Sequence, residues 1–313
     1  MNMKRLLFVF QIIVVVVVLS NFVSCSFDDV EDKYPYSTFA FVYQDFNFNV
    51  IVGEGLKLDV GIILAGIISN KENRIAYYEV DPSLLDEVSD KTLLPANYYT
   101  AGHPNQIVVP KGDLSGYLPV KMDSLQFLAD PRSLTGEFVL PIRLLISPSV
   151  DTLITEKSYI RISLSYLGKQ FGNYYYSGEI DKTMAGVHYN FYRYSNNPGD
   201  ARSIRFLETV GSTTFRMVGD RTATSDDPVK GGISFLIDVP INGTEVTILP
   251  DPDAPSDIRA NGNCTYDAKN KKFNLAYIYT EADGSICTVV EELTFRNRIY
   301  NDQGNNIYIN EWR

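Results

Sequence analysis

The chain has 313 residues, enough for two domains of ordinary size, and carries 28 basic against 38 acidic residues for a formal net charge of −10. That balance excludes nucleic acid, whose phosphates require a concentrated basic surface, and it argues against an anionic polymer as the main partner, leaving room only for a local basic patch. Aromatic residues are the compositional signal, with 21 Tyr and 17 Phe against one Trp; tyrosine suits pleated strands and also makes flat amphipathic platforms.

The first segment has the pattern of an export signal. Lys4 and Arg5 precede an apolar run over residues 6–19, broken only by Gln11, and Phe22-Val23-Ser24 lead into Cys25. A basic start, a short apolar stretch and a small residue at the junction describe such a signal, and the run is shorter than the ~20 residues that span a bilayer. Val23-Ser24-Cys25 resembles the lipobox of bacterial lipoproteins, with Phe22 departing from the usual leucine. The resemblance implies that residues 1–24 are a lipoprotein signal peptide and that the Cys25 sulfur carries a diacylglycerol. Acyl chains contribute ~0.8 kcal/mol per buried methylene, so two or three of them anchor a protein durably.

Residues 25–35 read as an acidic tether, extended by self-repulsion. Its Asp28, Asp29, Glu31 and Asp32 resemble the surface-export signal of Bacteroidota lipoproteins. That resemblance implies an outer-membrane location, lipid-anchored and facing outside the cell. Later in the chain no segment reaches 18 apolar residues, so the membrane is expected to be touched through the lipid alone. Without residues 1–24 the charge becomes −12, 26 basic residues against 38 acids.

From residue 36 onward β patterns dominate. Runs at 39–43, 46–52, 56–60, 75–80, 106–109, 115–122, 136–146 and 158–166 are apolar or alternating, and Leu56-Lys57-Leu58-Asp59-Val60 alternates strictly, as a half-buried strand does. Turn chemistry separates them at Asn70-Lys71-Glu72-Asn73, Pro110-Lys111-Gly112-Asp113 and Asp130-Pro131. The spacing predicts an immunoglobulin-like β-sandwich over 36–168. No long amphipathic helix is expected; 83–88 reads as one helical turn or two.

Gly168-Lys169-Gln170-Phe171-Gly172 reads as a boundary. Beyond it, strands are expected at 174–176, 187–194, 203–208, 213–218, 232–239, 244–249, 261–267, 272–279 and 285–298, many joined by hairpin turns such as Ala282-Asp283-Gly284. A meander of this length over 169–313 closes into an antiparallel, lipocalin-like β-barrel or folds as a second sandwich. The fold class is therefore all-β. Pro250-Asp251-Pro252-Asp253-Ala254-Pro255 reads as an exposed, stiff loop within it.

Two stretches then carry a family resemblance. Residues 56–68 with 74–82, the run Val108-Val109-Pro110-Lys111-Gly112-Asp113-Leu114-Ser115-Gly116, and Phe138-Val139-Leu140-Pro141-Ile142 resemble an uncharacterised N-terminal domain of Bacteroidota lipoproteins. The part from Gly172 onward resembles a second uncharacterised domain that accompanies it. Such proteins recur in glycan-utilisation loci, so the resemblance implies carbohydrate handling at the cell surface and a transporter complex in the outer membrane as partner.

Catalytic and cofactor motifs are missing from the sequence. There is no Asp-x-x-Asp-x-Asp-x-Glu run of the kind a family-18-like glycosidase carries, no Gly-x-Ser-x-Gly and no phosphate-cradling glycine loop, and Gly53-Glu54-Gly55 stands alone. Glu291-Glu292 lies within a strand, which sends the two carboxylates to opposite faces. His103 and His188 with Cys264 and Cys287 lack zinc spacing, and the two cysteines read equally as buried thiols or a bridge. Asp251, Asp253 and Asp257, or Asn301, Asp302, Asn305 and Asn306, match no calcium loop and read as solvated turns. No enzyme, cofactor or metal is expected.

Aromatic platforms remain. A pyranose has an apolar face that a ring covers and a rim of hydroxyls that Asn, Asp, Gln or Arg can satisfy. Tyr98 and Tyr99, on an expected loop near Asn97, His103, Asn105 and Gln106, have that mix. So do Tyr192 and Tyr194 before Asn196-Asn197, and Trp312 beside Tyr308, Asn310 and Arg313. These five are the candidate glycan contacts. The expectation is a non-catalytic surface lipoprotein that binds a neutral poly- or oligosaccharide for an outer-membrane uptake system. An adhesin or fimbrial subunit, and a barrel holding a small ligand, are the alternatives.

Overall fold

The computed structural model describes residues 36–86, 88–194, 204–218, 233–254, 256–302 and 305–308. Its first part contains β1 (Thr38–Ala40), β2 (Asp45–Ile51), β3 (Lys57–Ala65), β4 (Arg74–Val80), β5 (Thr92–Leu93), β6 (Tyr99–Ala101), β7 (Gln106–Val109) and β8 (Ser115–Met122). The helix α1 (Ser124–Ala129) follows, then β9 (Phe138–Leu145), β10 (Thr152–Leu153) and β11 (Tyr159–Leu167).

Alternation decides which face each strand buries. Leu58, Val60, Ile62 and Leu64 of β3 point inward, as do Leu118, Val120 and Met122 of β8, while Lys57, Asp59, Tyr117 and Lys121 face out. One sheet runs β10-β1-β3-β8-β6, and the other runs β2-β11-β9-β4-β7 with β5 beside β9. The chain enters through β1, antiparallel to β3 in the first sheet, and crosses to β2, parallel to β11 in the second. The result is the expected immunoglobulin-like sandwich, its core built from Phe39, Ile62, Ile107, Phe127, Phe138 and Leu164 among others.

Pro141 sits inside β9, a central strand, where a missing N–H would ordinarily break the ladder. It is tolerated because β9 changes partner there. Phe138 and Val139 pair with β5, and Ile142 to Leu145 pair with β4. The expected helical turn at 83–88 is a 3-10 turn over Pro82–Leu85, capped by Asp81. The sequence reading missed α1; Asp123 caps it, its Oδ1 accepting from the Leu125 and Gln126 N–H groups at 2.9 Å each.

The second part holds β12 (Gly172–Met184), β13 (Val187–Tyr194), β14 (Ile204–Thr209), β15 (Thr214–Val218), β16 (Phe235–Asp238) and β17 (Thr247–Pro250). It continues with β18 (Arg259–Ala260), β19 (Thr265–Asp267), β20 (Lys272–Thr280) and β21 (Ile286–Asn297), and ends in the hairpin β22 (Ile299–Asp302) and β23 (Asn305–Tyr308). The ten-stranded sheet runs β17-β16-β15-β14-β12-β21-β20-β18, with β13 on β12 and β19 on β20. Its two ends meet. The Val246 N–H donates to the Cys264 carbonyl at 2.9 Å, and the Tyr266 N–H donates to the Thr244 carbonyl at 2.7 Å. The meander is thus a nearly closed barrel and not a second sandwich, and closure removes the exposed edges an open sheet would present.

Large side chains occupy the inward positions: Tyr174, Phe215, Phe235, Phe273 and Tyr277 are each at most 2% exposed. Among the described residues no helix is long and apolar enough to cross a membrane.

Candidate functional site

Of the five predicted aromatic contacts, the structure describes the side-chain surroundings of Tyr98 and Tyr99. Tyr98 closes a 3-10 turn and Tyr99 opens β6, so neither lies on the expected loop. Both are half-buried against the sandwich core. The Tyr98 ring meets Phe138 edge-on, with centroids 5.5 Å apart, and its hydroxyl donates to Asp130 Oδ2 at 3.1 Å. Each ring packs against the core and stays partly exposed. Tyr192 and Tyr194 lie on β13, opposite Ile180 and Gly178 of β12. Cys25, Asp28, Asp29, Glu31, Asp32 and Trp312 lie outside the described residues.

Several polar candidates turn out to have structural partners. Glu291 points into the barrel and Glu292 outward, as strand parity requires. Inside, Arg205 Nη2 stands 3.3 Å from Glu291 Oε2, the Tyr277 hydroxyl donates to Glu291 Oε1 at 3.0 Å, and the guanidinium lies 4.7 Å from the Tyr176 ring centroid. Both charged side chains are almost wholly buried, and each answers the desolvation of the other. Sequence reasoning missed this pair, although an Arg and a Glu at inward positions of alternating strands were a readable signal.

Asp251 departs from the expected exposed loop. It is 1% exposed and accepts from Arg216 Nε at 2.8 Å and Ser234 Oγ at 2.5 Å. Desolvation alone would raise its pKa, but these partners hold the carboxyl below the usual range. Asp257 accepts from the Thr280 N–H and hydroxyl at 2.7 and 2.6 Å. These carboxylates fasten the barrel's loops. Among the described residues no group of three or more His, Cys, Asp or Glu side chains is placed to hold a metal ion. Cys264 and Cys287 are buried free thiols; burial pushes Cys287 up to about 11.

One aromatic group does meet the requirements of a platform. Tyr117 of β8 lies on the outer face of the five-stranded sheet and is 60% exposed. The β3–β8 register sets it directly opposite Gly61. A Cβ on Gly61 would stand 3.3 Å from Tyr117 Cε1 and 3.5 Å from Cδ1, so the ring leans across ground that only a glycine leaves free. Around it on the same face are Ile63 and Ser115 on one side and Asp59 and Pro119 on the other, with Lys57 and Lys121 beyond. An apolar surface, a hydroxyl, a carboxylate and two ammonium groups therefore share one sheet face.

The face ends in a cleft of about 370 Å³ lined by Gly53, Gly55, Leu56, Lys121, Met122, Asp123 and Ser124. An exposed aromatic pair, Tyr43 and Phe46, lies where β1 crosses to β2, its rings near parallel with centroids 6.2 Å apart. The parity of Ser115 to Met122 was sufficient to place Tyr117 outward. What the sequence did not show was the glycine across from it.

A protein-family model described as "-like, N-terminal domain" matches residues 28–150. No curated protein matches the chain. Among solved structures, a structural-genomics protein of unknown function from Bacteroides ovatus shares 17% identity, covering 84% of this chain and 95% of its own, with a TM-score of 0.68. A second such protein from Bacteroides ovatus shares 14% identity over 87% of this chain and 100% of its own, with a TM-score of 0.43. An auxiliary nutrient binding protein from Bacteroides thetaiotaomicron shares 13% identity over 81% of this chain and 91% of its own, with a TM-score of 0.39. Only the first likeness bears on the fold, and it bears on nothing else.

Proposed function

We propose that this chain is a non-catalytic saccharide-binding protein, held on the outer membrane by a lipid on Cys25 and displayed outward through the acidic stretch Asp28, Asp29, Glu31 and Asp32. The observation that carries the binding role is Tyr117, an open ring lying over Gly61 on an exposed sheet face with hydrogen-bonding groups around it. The C–H face of a pyranose stacks on the ring, while Ser115 and Asp59 take hydroxyls at its rim. Reading a binder and not an enzyme draws on the carboxylates Glu291, Asp251 and Asp257, which hold the barrel together through their own partners. A shallow, wet site of this kind binds weakly, and a repetitive polymer met by many anchored copies raises the avidity. Tyr192, Tyr194 and Trp312 remain proposed secondary contacts, and an outer-membrane transporter the proposed recipient.

Native affinity gels loaded with a panel of polysaccharides test the role, using the full chain in detergent. Retardation by at least one polysaccharide is the expected result. Unchanged mobility in every gel would overturn it and favour a structural part in a surface fibre.

A further inference from the structure

The same register that sets Tyr117 over Gly61 sets Lys57 directly opposite Lys121, with both side chains exposed. Like charges facing each other across an antiparallel pair are destabilising. Among the described residues, no carboxylate lies within 4.0 Å of either ammonium group. The acids nearby have other places. Asp59 shares the face but stands opposite Pro119, Asp123 directs its Oδ1 to the N-terminus of α1, and Glu54 is paired with Arg298 at 2.8 Å.

Both lysines border the cleft at this end of the face. Lys121 lines it, and the Lys57 stem lies 3.8 Å from the position a Cβ on Gly55 would take. The cleft also offers the Ser124 side chain and the backbone of Gly53 and Gly55. Four residues of strand, about 13 Å, separate Lys121 from Tyr117, so one oligosaccharide can engage both.

We infer that the saccharide carries an acidic group, a carboxylate or a sulfate, and that Lys57 and Lys121 receive it at the mouth of this cleft. The inference rests on the platform reading of Tyr117 and names the class of glycan that platform takes. It replaces the neutral saccharide expected from composition. Net charge acts over the whole surface, whereas charges beyond ~8 Å are largely screened at physiological ionic strength, and the local pair decides what binds between the two lysines. An anion there removes the lysine–lysine repulsion and gains charge-assisted hydrogen bonds. The overall negative charge still disfavours densely charged polymers, so the acid is one substituent among neutral sugars.

The test compares each of two acidic polysaccharides with its own neutralised form. A glucuronoxylan, whose uronic acids are sparse substituents on a neutral backbone, is paired with its carboxyl-reduced product, and a sparsely sulfated galactan with its desulfated product; the full chain in detergent is titrated with oligosaccharides of each. The expected result is binding about tenfold tighter to at least one acidic form, falling to parity in the double variant Lys57→Gln/Lys121→Gln. The two arms tell a carboxylate from a sulfate. Equal binding of acidic and neutralised forms by the wild type, or a preference that survives the double variant, overturns the inference. A Tyr117→Ala variant separates the two failures: binding that ignores Tyr117 sinks the platform itself, whereas Tyr117-dependent binding without acid preference sinks only the lysine site.

Discussion

Asp130 reads from sequence as part of a turn, and the structure gives it partners well beyond that turn. It accepts from Arg132 Nη2 at 2.8 Å and Nε at 3.1 Å, and from the Tyr98 hydroxyl, so the Arg132 hydrogen bond above all holds its carboxyl down at about 2. A folded pKa below the unfolded value of ~3.9 adds stability that is present above pH 4 and is lost as the pH falls toward 2. Asp130→Asn therefore lowers Tm by about 2–4 °C at pH 7, and the gap to wild type narrows between pH 4 and pH 2; thermal melts across that range check it. Tyr98 looked like a loop platform because Pro95 and Gly102 bracket it. Its role in packing comes from Phe138 and Asp130, more than thirty residues away, and no local pattern encodes a contact of that kind.

At the scale of elements, parity was legible and register was not. Alternation in Lys57–Ala65 and Ser115–Met122 states which side chains face solvent before any partner is known. That Gly61 meets Tyr117 and Lys57 meets Lys121 depends on how two strands slide into place, which turn and core settle together. Strand β12 makes the same point. Its start pairs with β14 and its end with β13, while β21 follows it on the other side. Gly178 lies where β13 takes over, and a Cβ there would stand 2.3 Å from the Val290 carbonyl oxygen and 2.8 Å from Glu291 Cα, both backbone atoms that cannot swing aside. Gly178→Ala is expected to cost about 1–3 kcal/mol in urea unfolding, and a neutral result would mean the barrel wall gives more than its packing implies.

For the whole molecule, the sequence was enough to predict an all-β chain with an immunoglobulin-like first part, and it left the second part open between barrel and sandwich. The hydrogen bonds from residues 244 and 246 to 264 and 266 decide that choice, and they join segments that carry no distinctive motif. The two parts have separate hydrophobic cores, one around Phe39, Phe127 and Phe138 and one around Phe215, Phe273 and Tyr277. Arg298 bridges them, its Nη2 donating to Glu54 Oε1 at 2.8 Å and to the Lys169 carbonyl at 2.9 Å. Glu291→Ala leaves Arg205 buried beside an empty place, a loss of about 3–5 kcal/mol to the barrel. In calorimetry the barrel transition is expected to move down while the sandwich transition holds; a single shifted transition would show that the two cores unfold as one.

The proposed function stands on a sugar ring stacking on Tyr117. Isothermal titration of wild type, Tyr117→Phe and Tyr117→Ala with an oligosaccharide of the polysaccharide retained in the gels tests it most directly. Tyr117→Phe is expected to keep most of the affinity, because the ring remains, and Tyr117→Ala to lose at least about tenfold. Equal affinity in all three proteins would contradict it.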